Sequence, residues 1–224
     1  MNILAVSPHP DDIEYSISGI LLKCRDHIKD LNLTVAYNTK YDLLDSCISE
    51  THIIRCNEAQ LACKMMKADY MEFSVDDSLD KITTMLKKCA PDILFLPSVD
   101  DENAVHRMTT FLIENAVEVM KNTKDVHLIK QLFYYETYSS INFSPDIILD
   151  VTEVFAEAKK ILLCHKNGIN VLKILPYKFQ VMHQIRGFGC ARPYGEGLKH
   201  SNASQFKWYD NFKYYISFIQ TMMG

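Results

Sequence analysis

The feature that most constrains the fold of this chain is a regular alternation of short apolar runs with segments of helical periodicity. The apolar runs predict strands over residues 3–7, 33–37, 70–73, 93–97, 131–136 and 147–151. The helical segments cover residues 17–28, 50–67, 78–89, about 104–122 and 152–164, with Thr152 as the predicted N-cap of the last one. The pattern is typical of an α/β fold, so we expect a Rossmann-like, mostly parallel sheet with helices on both faces.

The length and composition fit one domain. The chain has 224 residues, of which 48% are apolar and 23% are charged, as is ordinary for a globular protein with a full core. We expect a single domain over residues 1–224, with an α/β core at 1–170 and an extension of the same domain at 171–224. The aromatic-rich stretch from Ile174 to Gly224 predicts a helix, a long surface loop and a closing helix.

Charge, cysteine usage and hydropathy limit the partners and the location. A net charge of −4 offers no basic surface for nucleic acid, and no GxGxxG follows the first strand to bind a dinucleotide. Seven irregularly spaced cysteines without a CxxC pair predict reduced thiols in a cytoplasmic protein. The first residues lack the basic region of a signal peptide, and no apolar run approaches the roughly 18 residues that a membrane span requires.

The first strand ends at Pro8-His9-Pro10-Asp11-Asp12. Ligands of open α/β sheets bind beyond the carboxyl ends of the strands, and a histidine with two carboxylates there requires a partner that offsets their desolvation. His9 and Asp12 lie three residues apart across a proline-fixed turn, so both can face one divalent cation while Asp11 projects elsewhere. We therefore predict Asp12 as a metal ligand and Asp11 as a general base. The alternative is that both aspartates cap the following helix and His9 packs on the surface.

A second cluster follows the predicted strand at 93–97. His106 lies just beyond this strand, at the start of the next helix and after the acidic run at 100–102. Two histidines and one aspartate plus a water make an open zinc site, so His9, Asp12 and His106 are the predicted ligands of one Zn²⁺ per chain. The alternative is a solvated acidic loop in which His106 has no role.

With these motifs, the sequence resembles the LmbE-like, or PIG-L-like, N-acetylglucosaminyl deacetylases. Their signature is a strand that ends in a histidine, a proline or alanine, two aspartates and often a glutamate, followed by a glycine near the helix start. Ser7 to Glu14 match it, and Gly19 occupies the glycine position. Weaker matches follow in the family's order over nearly the whole chain, at 55–59, 91–97, 146–152, Lys159, His165, Arg186-Gly187 and 194–196.

The resemblance implies roles for individual residues. In the family, the first-motif histidine, the second aspartate and the last histidine of a His-Pro-Asp-His motif hold zinc, and the first aspartate is the proposed base. These roles map onto His9, Asp12 and His106 as ligands and Asp11 as base. Arg55 and Tyr194 are further candidates, for substrate binding. The alternatives are that Arg55 pairs with Glu58 on a helix surface and that Tyr194 only packs.

Two positions of the second motif depart from the family pattern. Asn103 replaces the leading histidine of the second motif, and asparagine can donate a hydrogen bond to an oxyanion but cannot supply a proton at neutral pH. We therefore expect Asn103 to take part in catalysis as a hydrogen-bond donor. Val105 replaces the motif's aspartate, which predicts the loss of a carboxylate partner for a ligand or for the base.

The resemblance implies a zinc-dependent hydrolase that removes an N-acetyl group from an N-acetylglucosamine-containing small molecule. It also implies a homo-oligomer, a trimer or a hexamer, which the aromatic content of the tail favours as well. Two alternatives stay open. One is an amidohydrolase that acts on an amide without N-acetylglucosamine, and the other is a catalytically weak metal- or sugar-binding relative, which Asn103 and Val105 favour.

Overall fold

The computed structural model describes residues 1–39, 50–122, 129–171 and 173–201. Within them the strands are β1 (Asn2–Ser7), β2 (Asn32–Asn38), β3 (Asp69–Phe73), β4 (Ile93–Pro97), β5 (Gln131–Tyr135), β6 (Ile147–Asp150) and β7 (Gly195–His200). The helices are α1 (Asp12–Ser16), α2 (Ser18–His27), α3 (Glu50–Met66), α4 (Leu79–Cys89), α5 (Ala104–Lys121), α6 (Phe155–Leu162), α7 (Lys166–Val171) and α8 (Leu175–Gly189).

The strands form one sheet in the order β3-β2-β1-β4-β5-β7-β6. β1 pairs in parallel with β2 and β4, and β3 and β5 extend the parallel sheet outward. β7 runs antiparallel to both of its neighbours, β5 and β6. The strand order reverses between β1 and β4. At such a switch point the connections after the two strands leave towards opposite faces, which opens a crevice at their carboxyl ends.

Both faces of the sheet are covered, and the central strand β1 shows how. Ile3 and Ala5 face one buried layer, whereas Leu4 and Val6 face the other. The first layer is formed with α1, α2, α3, α6 and α8, and the second with α4 and α5. Alternate side chains of a strand point to opposite faces, so a strand buried on both sides has an uninterrupted apolar sequence. This confirms the predicted α/β architecture with a mostly parallel sheet.

The prediction of a long loop after α8 is wrong in part, because residues 195–200 form strand β7. Two glycines allow this placement. A Cβ on Gly195 would come within 2.9 Å of the α8 backbone at Arg186, and a Cβ on Gly197 would come within 2.9 Å of the Pro145 side chain. The strand is therefore defined by its pairing with β5 and β6 and by close backbone packing, and its own sequence has no apolar run.

The N-cap predicted for α6 is also wrong. Val154 occupies the cap position and makes no side-chain cap hydrogen bond. The Thr152 hydroxyl instead accepts a hydrogen bond from the Tyr194 backbone N–H at 3.2 Å and donates to the Tyr194 carbonyl at 3.3 Å. Thr152 therefore ties the end of β6 to the start of β7.

The predicted closing helix lies within 202–224, outside the described residues, and the domain bounds 1–170 and 171–224 stay a prediction. β7 of the extension is nevertheless hydrogen-bonded between two strands of the core. The six cysteines in the described ranges are free thiols. None of the helices in these ranges combines the length and the hydropathy needed to cross a membrane.

Candidate metal centre and active site

The turn after β1 is held by hydrogen bonds that keep its side chains in the crevice. The Ser7 hydroxyl donates to the His9 carbonyl at 2.6 Å, and the Asn38 side chain from β2 donates to the Pro8 carbonyl at 3.0 Å. The His9 backbone N–H donates to Asp12 Oδ2 at 2.9 Å. These contacts fold the turn back on itself, so that the side chains of His9 and Asp12 converge.

His106, near the start of α5, completes a triangle of possible ligand atoms. His9 Nδ1 lies 2.9 Å from His106 Nε2 and 3.1 Å from Asp12 Oδ2, and His106 Nε2 lies 3.2 Å from Asp12 Oδ2. All three residues are buried. In a tetrahedral zinc site with bonds of roughly 2.0–2.2 Å, neighbouring ligand atoms are about 3.3 Å apart. The two clusters at the ends of β1 and β4 therefore meet at the spacing of a metal site.

The chemistry of the three residues also fits a divalent cation. Asp12 Oδ1 is buried and makes no hydrogen bond among the described residues. Burial alone would raise the pKa of Asp12, but His106 and His9 outweigh it and hold that pKa well below its usual range. Burial opposes protonation of His106, yet Asp12 and Asp101 raise its pKa to about 10. Without a metal, a proton between these groups supplies the positive charge that a cation would supply.

Asp101 holds His106 from the other side of the ring. Its Oδ2 lies 3.0 Å from His106 Nδ1 and accepts a hydrogen bond from the Thr137 hydroxyl at 2.6 Å. Its Oδ1 accepts from the Ser139 hydroxyl at 2.7 Å and from the Asn103 backbone N–H at 2.8 Å. Burial raises the pKa of Asp101, but the hydrogen bonds from His106 and Thr137 lower it to about 2. A charged carboxylate thus fixes Nδ1–H of His106 and leaves Nε2 free to bind a metal.

The valine at position 105 predicted that the candidate ligands and the base would lack a carboxylate partner. This prediction is wrong, because His106 has such a partner in Asp101. Asp101 supplies the carboxylate from four residues earlier, in the loop before the helix. Val105 is 5% exposed and belongs to the core between the sheet and α5. An aspartate at 105 would place a charge in that apolar layer, so the valine is explained by packing.

Asn103 occupies the N-cap position of α5. Its Oδ1 accepts a hydrogen bond from the Val105 backbone N–H at 2.8 Å. The other face of the side-chain amide keeps two N–H donors, so capping the helix and donating to a bound substrate are compatible. The catalytic role of Asn103 stays a prediction.

Asp11 lies beside the triangle in an unusual backbone conformation. Its φ is 130°, in the region that side chains other than glycine rarely adopt, and its side chain makes no cap hydrogen bond to α1. Burial raises the pKa of Asp11 to about 6, although Arg55 and His165 lower it in part. Strained non-glycine backbone is concentrated at functional sites, where it aims a side chain. The capping alternative for Asp11 is therefore not what the structure shows.

Arg55 and Tyr194, the two predicted substrate-binding residues, lie in different places. Arg55 on α3 donates from Nη2 to the Pro10 carbonyl at 3.1 Å and lies 3.6 Å from Asp11 Oδ2. Tyr194 stacks on Phe155, with ring centroids 3.6 Å apart and an angle of 2° between the planes. Arg55 therefore adjoins the candidate base, whereas the Tyr194 ring is held by packing.

Sequence reasoning missed Tyr138, which follows β5 and approaches the site from the side of His106. Its ring centroid lies 6.2 Å from that of His106 and 6.0 Å from that of Tyr15. Burial raises the pKa of Tyr138, and the carboxylates of Asp12 and Asp11 raise it further. Its hydroxyl therefore stays protonated. No motif marked this residue, because tyrosines are frequent throughout the chain.

The fold and the site define a class: an α/β protein with a buried His-Asp-His group at the switch point of its sheet and a second aspartate beside it. A family model described as PIG-L, GlcNAc-PI de-N-acetylase, matches residues 4–117, which is just over half of the chain. The chain belongs to this family. The match includes both clusters of the candidate site.

Solved structures with the same fold include proteins with different activities. The conserved protein TT1542 of Thermus thermophilus covers 89% of this chain and 94% of its own, with a TM-score of 0.73. The 4-carboxy-2-hydroxymuconate hydratase GalB of Pseudomonas putida covers 89% and 96%, with a TM-score of 0.74. The N,N'-diacetylchitobiose deacetylase of Pyrococcus horikoshii covers 92% and 85%, with a TM-score of 0.71. Each is 18% identical to this chain, so these likenesses establish the shared fold.

Proposed function

We propose that this protein is a zinc-dependent hydrolase that removes an N-acetyl group from an N-acetylglucosamine-containing small molecule. One observation supports this most strongly: three possible ligand atoms converge within 4.8 Å of one another, and the aspartate Asp11 directly precedes one of the three residues. A catalytic zinc site has three protein ligands and an open position, with a carboxylate in reach. The proposed ligands are His9, Asp12 and His106, for one Zn²⁺ per chain.

The reaction divides between the metal and the residues around it. A zinc ion held by the three ligands would polarise the amide carbonyl and lower the pKa of water to about 7. Asp11 would accept the proton of the attacking water and return it to the leaving amine. One carboxylate can do both, because the proton that it takes is the one that the amine needs. Burial suits Asp11 to this task, since it raises its pKa to about 6, near the range in which a base and an acid are both effective.

Three further residues complete the proposal. Asn103 would donate a side-chain N–H to the oxyanion, in the place where the family has a histidine. Arg55 would bind a substrate hydroxyl or carboxylate at the rim next to Asp11. Tyr194 would orient the sugar through the edge and the hydroxyl of its ring, because the ring is stacked on Phe155.

The experiment that tests this function measures acetate and free amine released from N-acetylglucosamine and its glycosides, with and without added zinc. Equal amounts of both products, formed only with metal, are expected. Turnover confined to amides without the sugar would support the amidohydrolase alternative. Metal or sugar binding without product would support the catalytically weak relative, and a product formed without amide cleavage would indicate chemistry such as hydration.

The cytoplasmic location and the trimer or hexamer are also proposals. The free thiols of the described cysteines support the former, and the apolar stretch 174–224 supports the latter. Light scattering at micromolar concentration tests the assembly, since the mass of a single 25.8 kDa chain would contradict it.

A further inference from the structure

A second buried cluster of charged side chains adjoins the candidate metal centre without contributing to its ligand triangle. Glu14 on α1 is fully buried, and His165 is 1% exposed. His165 Nε2 lies 3.3 Å from Glu14 Oε1, which also accepts a hydrogen bond from the Tyr37 hydroxyl at 2.6 Å. A buried imidazole–carboxylate pair is costly to desolvate, and apolar residues of similar size could fill the space. The pair therefore requires a reason other than packing.

The cluster is also short of hydrogen bonds. Within the described residues, His165 Nδ1 and Glu14 Oε2 have no hydrogen-bond partner, and the ion pair of His165 Nε2 with Glu14 Oε1 does not have hydrogen-bond geometry. Buried polar atoms are nearly always satisfied, so three exceptions in one place mark a site where a function other than stability constrains the residues. The backbone of His165 is held as well. Its N–H donates to the Leu162 carbonyl at 3.0 Å, and its carbonyl accepts from the Ile169 N–H at 3.0 Å.

The backbone segment that begins at His165 packs against Asp11. Gly168, three residues after His165, lies so close to Asp11 Oδ2 that a Cβ at this position would overlap it. Arg55 Nη2 is 3.6 Å from the same oxygen. Burial opposes protonation of His165, but the carboxylates of Glu14 and Asp11 outweigh it and raise its pKa. The carboxylate of Asp11 thus lies next to Arg55 on α3 and next to the segment that carries His165 and Gly168.

We infer that His165 is a positioning residue for Asp11: paired with Glu14, it fixes the turn whose Gly168 packs against the Asp11 carboxylate, and Arg55 holds the same carboxylate. The inference rests on the proposed function, in which Asp11 is the base. His165 is sealed from solvent and lies outside the ligand triangle, so it acts through Asp11 and not on the substrate. A base displaced by about 1 Å loses on the order of 100-fold in rate, which is the scale on which such positioning acts.

The test replaces His165 by glutamine, with His183→Gln as the matched control. His183 is also fully buried and also pairs with a glutamate, since its Nε2 lies 2.9 Å from Glu196 Oε1. We expect His165→Gln to lower kcat by about 10- to 100-fold, with KM and zinc content unchanged. The control should lower the unfolding midpoint and leave kcat within about twofold of the parent. Equal effects of both variants on kcat, or zinc loss in His165→Gln, would overturn the inference.

Two further variants keep the inference testable if His165→Gln does not fold. His165→Ala leaves a cavity that imidazole can fill, so added imidazole should restore kcat. Gly168→Ala pushes on Asp11 directly and should lower kcat without loss of zinc. In the Asp11→Asn background, neither His165→Ala nor Gly168→Ala should lower the residual rate further, because both act through Asp11. A further loss there would show a role independent of the base.

A structural readout separates this inference from the proposed function. In crystals of the folded variants, the Asp11 carboxylate should move by about 1 Å in His165→Gln or Gly168→Ala and stay in place in His183→Gln. If the parent protein releases no acetate, the proposed function fails, and the displacement still decides whether His165 positions Asp11. An unmoved carboxylate in both Asp11-directed variants would overturn the inference even in an active enzyme.

Discussion

Asp101→Asn should weaken zinc binding at the proposed metal centre without changing the size of the side chain at position 101. The two oxygens of Asp101 meet different donors: Oδ1 faces the Asn103 backbone N–H, and Oδ2 faces His106 Nδ1 and the Thr137 hydroxyl. A backbone N–H cannot turn away, so an asparagine at 101 would keep its oxygen there and point its NH₂ at His106. Nδ1 of His106 must then accept a hydrogen bond, which places the proton on Nε2, the atom that has to bind the metal.

The expected loss is the usual cost of removing the partner that orients a metal-binding histidine, about 10- to 100-fold in zinc affinity. This corresponds to about 1.4–2.7 kcal/mol at 25 °C. The hydroxyl of Thr137 can rotate, so we expect a smaller change in the unfolding free energy than in the zinc affinity. Zinc affinity is measured by competition with a chromophoric chelator, alongside acetate release at limiting and at saturating zinc.

Asp100→Asn is the matched control, because it makes the same chemical change one residue earlier, on an exposed side chain. It should leave the affinity and the rate unchanged. A full zinc affinity in Asp101→Asn would refute the reasoning, since the tautomer of His106 would then not depend on the carboxylate.

Four other substitutions or conditions test separate parts of the account. Asp11→Asn should keep zinc and lose about 10²–10⁴-fold in rate, whereas loss of zinc would make this residue a ligand. Asn103→Asp keeps a capping oxygen but no N–H donor, so the rate should fall by about 10²–10³-fold with little change in stability; a full rate would leave the residue a helix cap only. Two carboxylates raise the pKa of His106 to about 10, so zinc binding should displace about one proton. The zinc affinity should then rise about tenfold per pH unit between pH 6 and 9, and calorimetry in several buffers measures both the affinity and the proton release. A pH-independent affinity would contradict this. Gly19→Ala puts a Cβ 2.7 Å from Glu196 Oε1 and should cost about 1–3 kcal/mol in denaturant unfolding, although alanine is otherwise the better helix former.

The His-Asp-His group and the parallel core were predictable because both follow from local patterns. His9 and Asp12 lie at the end of an apolar run, and His106 lies just after another one. Adjacent parallel strands end at the same edge of a sheet, so the two clusters had to come close. The departure at Val105 was also visible, but its consequence was not.

The other features of the fold and of the candidate site could not be predicted, because they depend on contacts between distant parts of the chain. The acidic run at 100–102 offers three carboxylates, and only the loop geometry, with Thr137 and Ser139 beyond the next parallel strand, selects Asp101 as the one that faces His106. β7 has two glycines and no apolar run, because its partners β5 and β6 define it. His165 lies in a turn between helices, and nothing local shows that the turn packs behind Asp11.

The central claim is that one zinc ion, held by His9, Asp12 and His106, makes this protein an N-deacetylase. The most direct measurement titrates zinc into the metal-free protein while acetate release from an N-acetylglucosaminide is followed. The account predicts that the rate rises from zero and levels off at one zinc per chain, and that His106→Ala shows no such rise at the same zinc concentrations. A rate that is independent of zinc, or a His106→Ala protein that is activated with the same stoichiometry and affinity, would contradict it.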